Sequence, residues 1–216
     1  MTRPPTYARF ARPLPEHPGS DSSRRLFFGI PLDEDARRVV VDVVERVRRD
    51  ERAAAPDDRE VRWVRLEGLH VTLRFLGPTP ESMIAGLMAT ADAAAKGIPP
   101  FDIRIHGAGA FPSPSRPRAL WLGIDEGAAE LAGLARRVED RLVADGWPRD
   151  ERPFRAHLTL ARSDGVNSGA RTVARLIAAA ADLDVRWRAE RLILFESRLG
   201  GGPARYDAVH EARLTA

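Results

Sequence analysis

Apolar positions along the chain recur at two spacings, and the switches between them predict its elements. Arg24-Arg25-Leu26-Phe27-Phe28-Gly29-Ile30-Pro31-Leu32 is a short apolar run ended by proline, which reads as a strand. Val39, Val40, Val43, Val44 and Val47 then recur at i, i+3 and i+4, predicting a helix capped by Asp33 or Asp35 and running to about Asp50. Ala53 to Asp58 reads as a loop, and Val61 to Val64 as a short strand segment. It leads into a longer strand, Leu69-His70-Val71-Thr72-Leu73-Arg74-Phe75-Leu76, which Gly77-Pro78 is expected to stop. Thr79 as cap and Pro80 as first residue predict a second helix, with Met83, Ile84, Leu87, Met88 and Ala91 on one face and Gly97 closing it. Phe101, Ile103 and Ile105 alternate with Asp102, Arg104 and His106, the pattern of a half-buried strand. The glycines and prolines from Gly107 to Pro117 read as a hinge between two halves.

The second half repeats the plan loosely. Ala119 to Ile124 is a strand, and Leu131, Leu134, Ala135, Val138 and Leu142 stripe a helix from about Glu126 to Asp145, ended by Gly146. A strand through His157 follows, then a helix capped by Ser168 with Val173, Leu176 and Ile177 inward. Two strands, Arg188 to Ser197 and Ala204 to Leu214, finish the chain around a turn at Gly200-Gly201-Gly202-Pro203. The predicted fold class is α+β: two similar lobes with mainly antiparallel sheets flanked by helices, and a cleft between them. The lobes fall at about 24–110 and 117–216, with strands free to cross over. Residues 1–23 carry Pro4, Pro5, Pro13, Pro15 and Pro18 and no hydrophobic period, and read as a disordered tail rather than a secretion signal.

One tetrapeptide occurs twice. His70-Val71-Thr72-Leu73 and His157-Leu158-Thr159-Leu160 both read His-aliphatic-Thr-Leu. Residues i and i+2 of a strand share a face, so each copy sets an imidazole beside a hydroxyl with aliphatic side chains behind them. Two such strands facing each other supply what transfer at phosphorus needs: a base to take the proton of water, an acid to protonate the departing alkoxide, and hydroxyl donors for the non-bridging oxygens. Imidazole suits both proton roles because its pKa of about 6.5 lets both forms exist near neutrality. The guanidinium of Arg162, three residues after Thr159, is placed to neutralise the phosphate. The same alternation puts Arg74 on the His70–Thr72 face and Arg155 on that of His157, while Phe75 and Trp63 are expected in the core, with stacking on a base beside the cleft as the alternative. His17, His106 and His210 lack a matching context and read as ordinary surface or structural residues.

Composition narrows the chemistry without changing the plan. The 216 residues, 44% hydrophobic and 30% charged, suit a globular chain with a sizeable core. The chain has no cysteine, which excludes disulfides, thiolate metal sites and a cysteine nucleophile and is compatible with a cytoplasmic location. No apolar run approaches the roughly 18–20 residues that span a bilayer. Lys96 is the one lysine, so nearly every cation is an arginine; a net charge of +3 does not by itself indicate a nucleic-acid protein. Neither motif holds a carboxylate or further histidine to complete a metal shell, so no metal or cofactor is expected.

The paired motifs, with Arg25-Leu26-Phe27-Phe28 and Trp63-Val64 before the first, Phe154-Arg155-Ala156 and Ala161-Arg162 about the second, and Glu196-Ser197-Arg198-Leu199 later, resemble the 2H phosphoesterase superfamily. The nearest likeness is to the RNA 2′,3′-cyclic phosphodiesterases once called 2′-5′ RNA ligases, whose fold is LigT-like. The resemblance covers nearly all the chain after its first residues, ending near Tyr206. It implies a pseudo-two-fold α+β fold with both motifs in one cleft, and metal-independent hydrolysis of an RNA-terminal 2′,3′-cyclic phosphate to a 2′-phosphate. It makes His70 the proton donor to the leaving 3′ oxygen and His157 the proton acceptor from water, with Thr72, Thr159 and Arg162 on the phosphate. The implied partners are RNA ends or small nucleotides bearing a 2′,3′-cyclic phosphate, met by a monomer. Two other readings stay open: 2′-5′ ligation or 2′-5′ phosphodiester cleavage by the same pair, and a non-catalytic protein that binds RNA ends.

Overall fold

The computed structural model describes residues 22–54, 61–164 and 169–216. The expected tail, the loop after the first helix and the Ser168 cap lie wholly or mainly outside the described residues. Nine strands and four helices occur among those described: β1 (Ser23–Pro31), α1 (Glu34–Ala54), β2 (Arg62–Trp63), β3 (His70–Pro80), α2 (Ile84–Ala95), β4 (Phe101–Ser113), β5 (Arg116–Ile124), α3 (Ala128–Ala144), β6 (His157–Arg162), α4 (Ala170–Ala179), β7 (Val185–Ala189), β8 (Arg191–Arg198) and β9 (Arg205–Arg213).

The strands form a single antiparallel sheet in the order β7-β4-β5-β6-β3-β1-β8-β9, with β2 added beside β6. Its centre is the junction of the two His strands, where Val71 pairs with Leu158. About that junction the halves correspond: β3 to β6, β1 to β5, β8 to β4 and β9 to β7. The halves in space are not the halves in sequence. β4, from the first half of the chain, pairs with β5 and β7, while β8 and β9, from the end, pair with β1 and with each other. Each half of the chain thus lends strands to the other, which ties the halves together through backbone hydrogen bonds.

All four helices bury their apolar stripes in one core with one face of the sheet: Leu26, Phe28, Ile30, Val71, Ile103, Ile105, Leu120, Leu122, Leu158, Leu192 and Leu194. Asp33 starts α1 by accepting the Ala36 amide at 2.8 Å, as its side chain predicts. The opposite face of the sheet holds the His motifs.

Several local expectations are corrected. β3 does not stop at Gly77-Pro78 but continues to Pro80 against β1, because Arg25 and Arg24 pair with Pro78 and Thr79. Thr79 is buried and donates to the Gly77 carbonyl at 3.1 Å rather than capping a helix; α2 begins only at Ile84, after a single 3₁₀ turn. The region from Gly107 to Pro117 is no hinge: β4 and β5 form one long hairpin through it, and Gly107, at φ 74°, sits where the register shifts. Val39 and Ile177, each expected on a buried helix face, are exposed, and the strand expected from Arg188 to Ser197 is two strands parted at Glu190.

Candidate active site

Extending the Val71–Leu158 register by one residue each way sets His70 opposite Thr159 and Thr72 opposite His157. The four side chains make a diamond on the open face of the sheet, since Val71 and Leu158 point into the helix-side core. Diagonal neighbours in such a pair lie about 7–8 Å apart. That leaves room for one phosphate between the two imidazoles, with a hydroxyl to either side.

Both imidazoles are oriented alike. His70 Nδ1 and His157 Nδ1 each lie 2.7 Å from the carbonyl oxygen two residues earlier, of Gly68 and Arg155. A carbonyl only accepts, so in both rings Nδ1 carries the hydrogen and Nε2 is left to exchange a proton. The sequence around His70 makes room for this. A Cβ on Gly68 would lie 2.8 Å from the Tyr206 ring, and one on Gly29 would lie 2.9 Å from the Val71 carbonyl and 3.4 Å from the His70 ring. His70 sits among aromatic rings: Phe27 at 4.6 Å, Tyr206 edge-on at 4.8 Å and Phe195 at 5.4 Å. Among the described residues His157 meets one aromatic ring, Phe111, edge-on at 5.0 Å. Burial accordingly lowers the pKa of His70 to about 4, against a weaker upward pull from the Gly68 carbonyl. His157 is also lowered, chiefly by burial and further by the Arg162 charge.

A register irregularity follows each motif, and it reverses the expected faces. In β3, Thr72 pairs with Gly29 and Arg74 with Phe28, so Leu73 is skipped. In β6, Thr159 pairs with Trp121 and Ala161 with Leu120, so Leu160 is skipped. Both skipped leucines are buried in the helix-side core. Beyond them alternation resumes out of phase. Arg74 therefore turns to the helix side, where it bonds Glu139 at 2.6 Å and the Pro148 carbonyl at 2.7 Å, and the expected phosphate-side placement of Arg74 is overturned. Phe75 comes to the histidine face instead, 40% exposed, which corrects its expected place in the core. Arg162 stands at the corresponding position after Thr159, ends β6 rather than following it, and its charge acts on both His157 and Tyr206.

The remaining expectations sort simply. Trp63 packs against the core with the Arg48 guanidinium 5.2 Å from its ring centre. Arg155 is exposed and lies 5.9 Å from the Phe111 ring centre. His106 is exposed, His210 pairs with Asp92 at 2.7 Å, and His17 lies outside the described residues. Sequence reasoning missed the aromatic lining formed by Phe27, Phe195, Tyr206, Phe111 and Trp121. Among the described residues no group of three or more His, Asp or Glu is arranged to hold a metal, and no helix is long and apolar enough to cross a membrane.

Known proteins with this arrangement share a family. The chain is 35% identical over 141 residues to the RNA 2′,3′-cyclic phosphodiesterase of Methanothermobacter thermautotrophicus, covering 65% of this chain and 72% of that protein. It is 34% identical over 145 residues to the protein of the same name from Thermus thermophilus, covering 64% and 68%. The crystal structure of the Thermus thermophilus protein TT0787 superposes with a TM-score of 0.67 at 26% identity over 88% of this chain and 97% of that one. E. coli LigT complexed with 3′-AMP shares the fold, with a TM-score of 0.65 at 24% identity over 90% and 99%. The model of the 2′-5′ RNA ligase superfamily matches residues 32–201, a span that contains both His motifs and the junction between them, and the chain belongs to that superfamily.

Proposed function

We propose that the protein hydrolyses RNA-terminal 2′,3′-cyclic phosphate to a 2′-phosphomonoester, with His70 and His157 as its acid–base pair and without a metal. The observation that carries this reading is the diamond: two imidazoles with equivalent Nδ1 tethers across one strand pair, and a threonine opposite each. Names of the relatives at 34–35% identity support the substrate class.

In this mechanism water attacks phosphorus from the His157 side and His157 Nε2 takes its proton. The bond from phosphorus to the 3′ oxygen breaks in line, and that oxygen takes the proton of His70 Nε2. The 2′ ester bond remains. Thr72, Thr159 and Arg162 hold the non-bridging oxygens as charge builds on them. These roles follow the order of the motifs in the family that the chain resembles. The protein acts as a single chain on RNA ends in the cytoplasm. Incubating a short RNA ending in 2′,3′-cyclic phosphate and analysing its products tests this. A chain end that resists a 3′-specific phosphatase is the expected result. Joining to a 5′-hydroxyl RNA would make it a ligase, and binding without turnover would make it an end binder.

Two further outcomes are expected. Thr72→Val and Thr159→Val each lower kcat/KM by about 10- to 150-fold, because a hydrogen bond to a charged group contributes about 1.5–3 kcal/mol. The pH profile of kcat/KM is bell-shaped and centred below 6.5, since both imidazoles in the free protein titrate below that value. Activity falls as pH rises through the higher of the two because neither Nε2 then carries a proton to give to the leaving oxygen. The profile of kcat lies at higher pH, since the bound phosphate's negative charge favours an imidazolium beside it. A kcat/KM optimum above about pH 7.5 would contradict the buried, proton-poor histidines.

A further inference from the structure

Four pairs of arginines stand directly opposite one another across the described sheet: Arg62 and Arg162, Arg104 and Arg186, Arg191 and Arg213, and Arg198 and Arg205. Like charges in that position repel, and in three of the four pairs carboxylates answer the repulsion. Arg104 pairs with Asp125 and Arg186 with Glu126, Arg191 reaches Glu211 at 3.1 Å, and Arg198 reaches Glu196 at 3.3 Å and Asp207 at 2.9 Å. Arg62 and Arg162 are both exposed, and neither makes an ion pair among the described residues. The backbone holds them together all the same. β2 joins β6 just beyond the point where β3 leaves it, through two register pairs and a 2.9 Å bond from the Val64 amide to the Leu160 carbonyl. Trp63 packs against the core, as does its partner Ala161, so Arg62 turns to the histidine face with Arg162.

We infer that Arg62 is the contact for the phosphodiester on the 5′ side of the terminal nucleotide, a second phosphate subsite beside the one that Arg162 serves. Directly opposite side chains on one face start about 4.5–5.5 Å apart at Cβ, so the two guanidinium groups form one cationic edge of the site. The terminal phosphate on Arg162 and the next phosphate of the chain on Arg62 supply the anions that the other three pairs obtain from carboxylates. Cations that track the backbone are the sequence-independent way to hold a single strand. The subsite therefore selects chain ends over mononucleoside cyclic phosphates, whatever the base. This inference rests on the phosphodiesterase reading for its substrate.

The test uses a dinucleotide ending in 2′,3′-cyclic phosphate whose internucleotide linkage is either the phosphodiester or an uncharged methylphosphonate, with wild type and Arg62→Gln. Wild type should favour the charged linkage by about 5- to 10-fold in kcat/KM, between the effects of an exposed ion pair and of a buried charge-assisted hydrogen bond. Arg62→Gln should lose that preference by slowing only the charged substrate. On that substrate the slope of log kcat/KM against log salt should also become shallower by about 0.7, the change expected for one single-strand phosphate contact. Equal rates of wild type on the two linkages, equal slowing of both substrates by Arg62→Gln, slowing of neither, or an unchanged salt slope overturns the subsite. If wild type turns over neither substrate, the phosphodiesterase reading fails by itself. Equilibrium binding of adenosine 2′,5′-bisphosphate and of adenosine 2′-monophosphate then decides the subsite. Arg62→Gln must weaken the bisphosphate alone; equal weakening of both, or unchanged bisphosphate affinity, overturns it.

Discussion

Replacing either His70 or His157 with alanine is expected to lower turnover on a 2′,3′-cyclic phosphate end by about 10²- to 10⁴-fold, the usual contribution of one positioned acid or base. Both rings are tethered through Nδ1 to a backbone carbonyl, so each change removes a proton carrier already set in place. The double variant should be little worse than the worse single one, because the two groups act as a unit on one in-line displacement. The two single variants differ in stability. His70 packs against Phe27, Phe195 and Tyr206, whereas His157 meets Phe111 alone among the described aromatic rings, so His70→Ala should unfold at the lower temperature. Turnover measured beside thermal unfolding separates the effects. Full activity in either variant would remove that histidine from the mechanism.

Arg74 and Arg162 should behave as opposites, although a plain reading of strand alternation gives Arg74 the better claim to the histidine face. Arg74 and its partner Glu139 are 12% and 13% exposed, and Arg74 also lies 3.7 Å from Asp150. Arg74→Met leaves Glu139 without its guanidinium partner. Breaking a fully buried pair costs about 3–5 kcal/mol, and the residual exposure here lowers the expected loss of stability to about 2–3 kcal/mol. Turnover per folded molecule should stay near that of wild type. Arg162→Met disturbs no such buried network among the described residues and should leave stability within about 0.5 kcal/mol of wild type. Its kcat/KM should fall by about 10- to 150-fold, the equivalent of one charge-assisted hydrogen bond to phosphate. Denaturant unfolding and steady-state kinetics on both variants check this. Arg74→Met abolishing turnover in folded protein would mean that the skipped leucine does not set the faces.

The core and the motifs were legible in the sequence because they obey simple periods. The valine stripe of α1, the leucines of α3 and the duplicated His-aliphatic-Thr-Leu each follow from one spacing rule, and each takes its expected place except for Val39, which stands exposed at the edge of its stripe. The misplacements share a different origin. Leu73 and Leu160 are ordinary strand residues in sequence, and nothing local tells that the partner strand skips them. Every face assignment beyond them, for Arg74, Phe75 and Arg162, therefore depends on the pairing of β1 and β5. The glycines and prolines of 107–117 read as a hinge, yet the pairing of β5 along β4 through this region holds it extended. The exchange of β4 and of β8–β9 between the halves is likewise invisible to periodicity, since it depends only on which edges are free to pair. The aromatic lining escaped because Phe27, Phe195 and Tyr206 come from three strands far apart in the chain.

The most direct test of the central claim uses an RNA end in which sulfur replaces the 3′ bridging oxygen of the cyclic phosphate. A thiolate departs without a proton, so the need for the acid disappears while the need for the base persists. The assignment of His70 as donor predicts that His70→Ala regains most of its lost rate on the sulfur substrate and that His157→Ala stays slow. Recovery by His157→Ala alone would exchange the two roles, and recovery by neither would contradict acid–base catalysis by this pair.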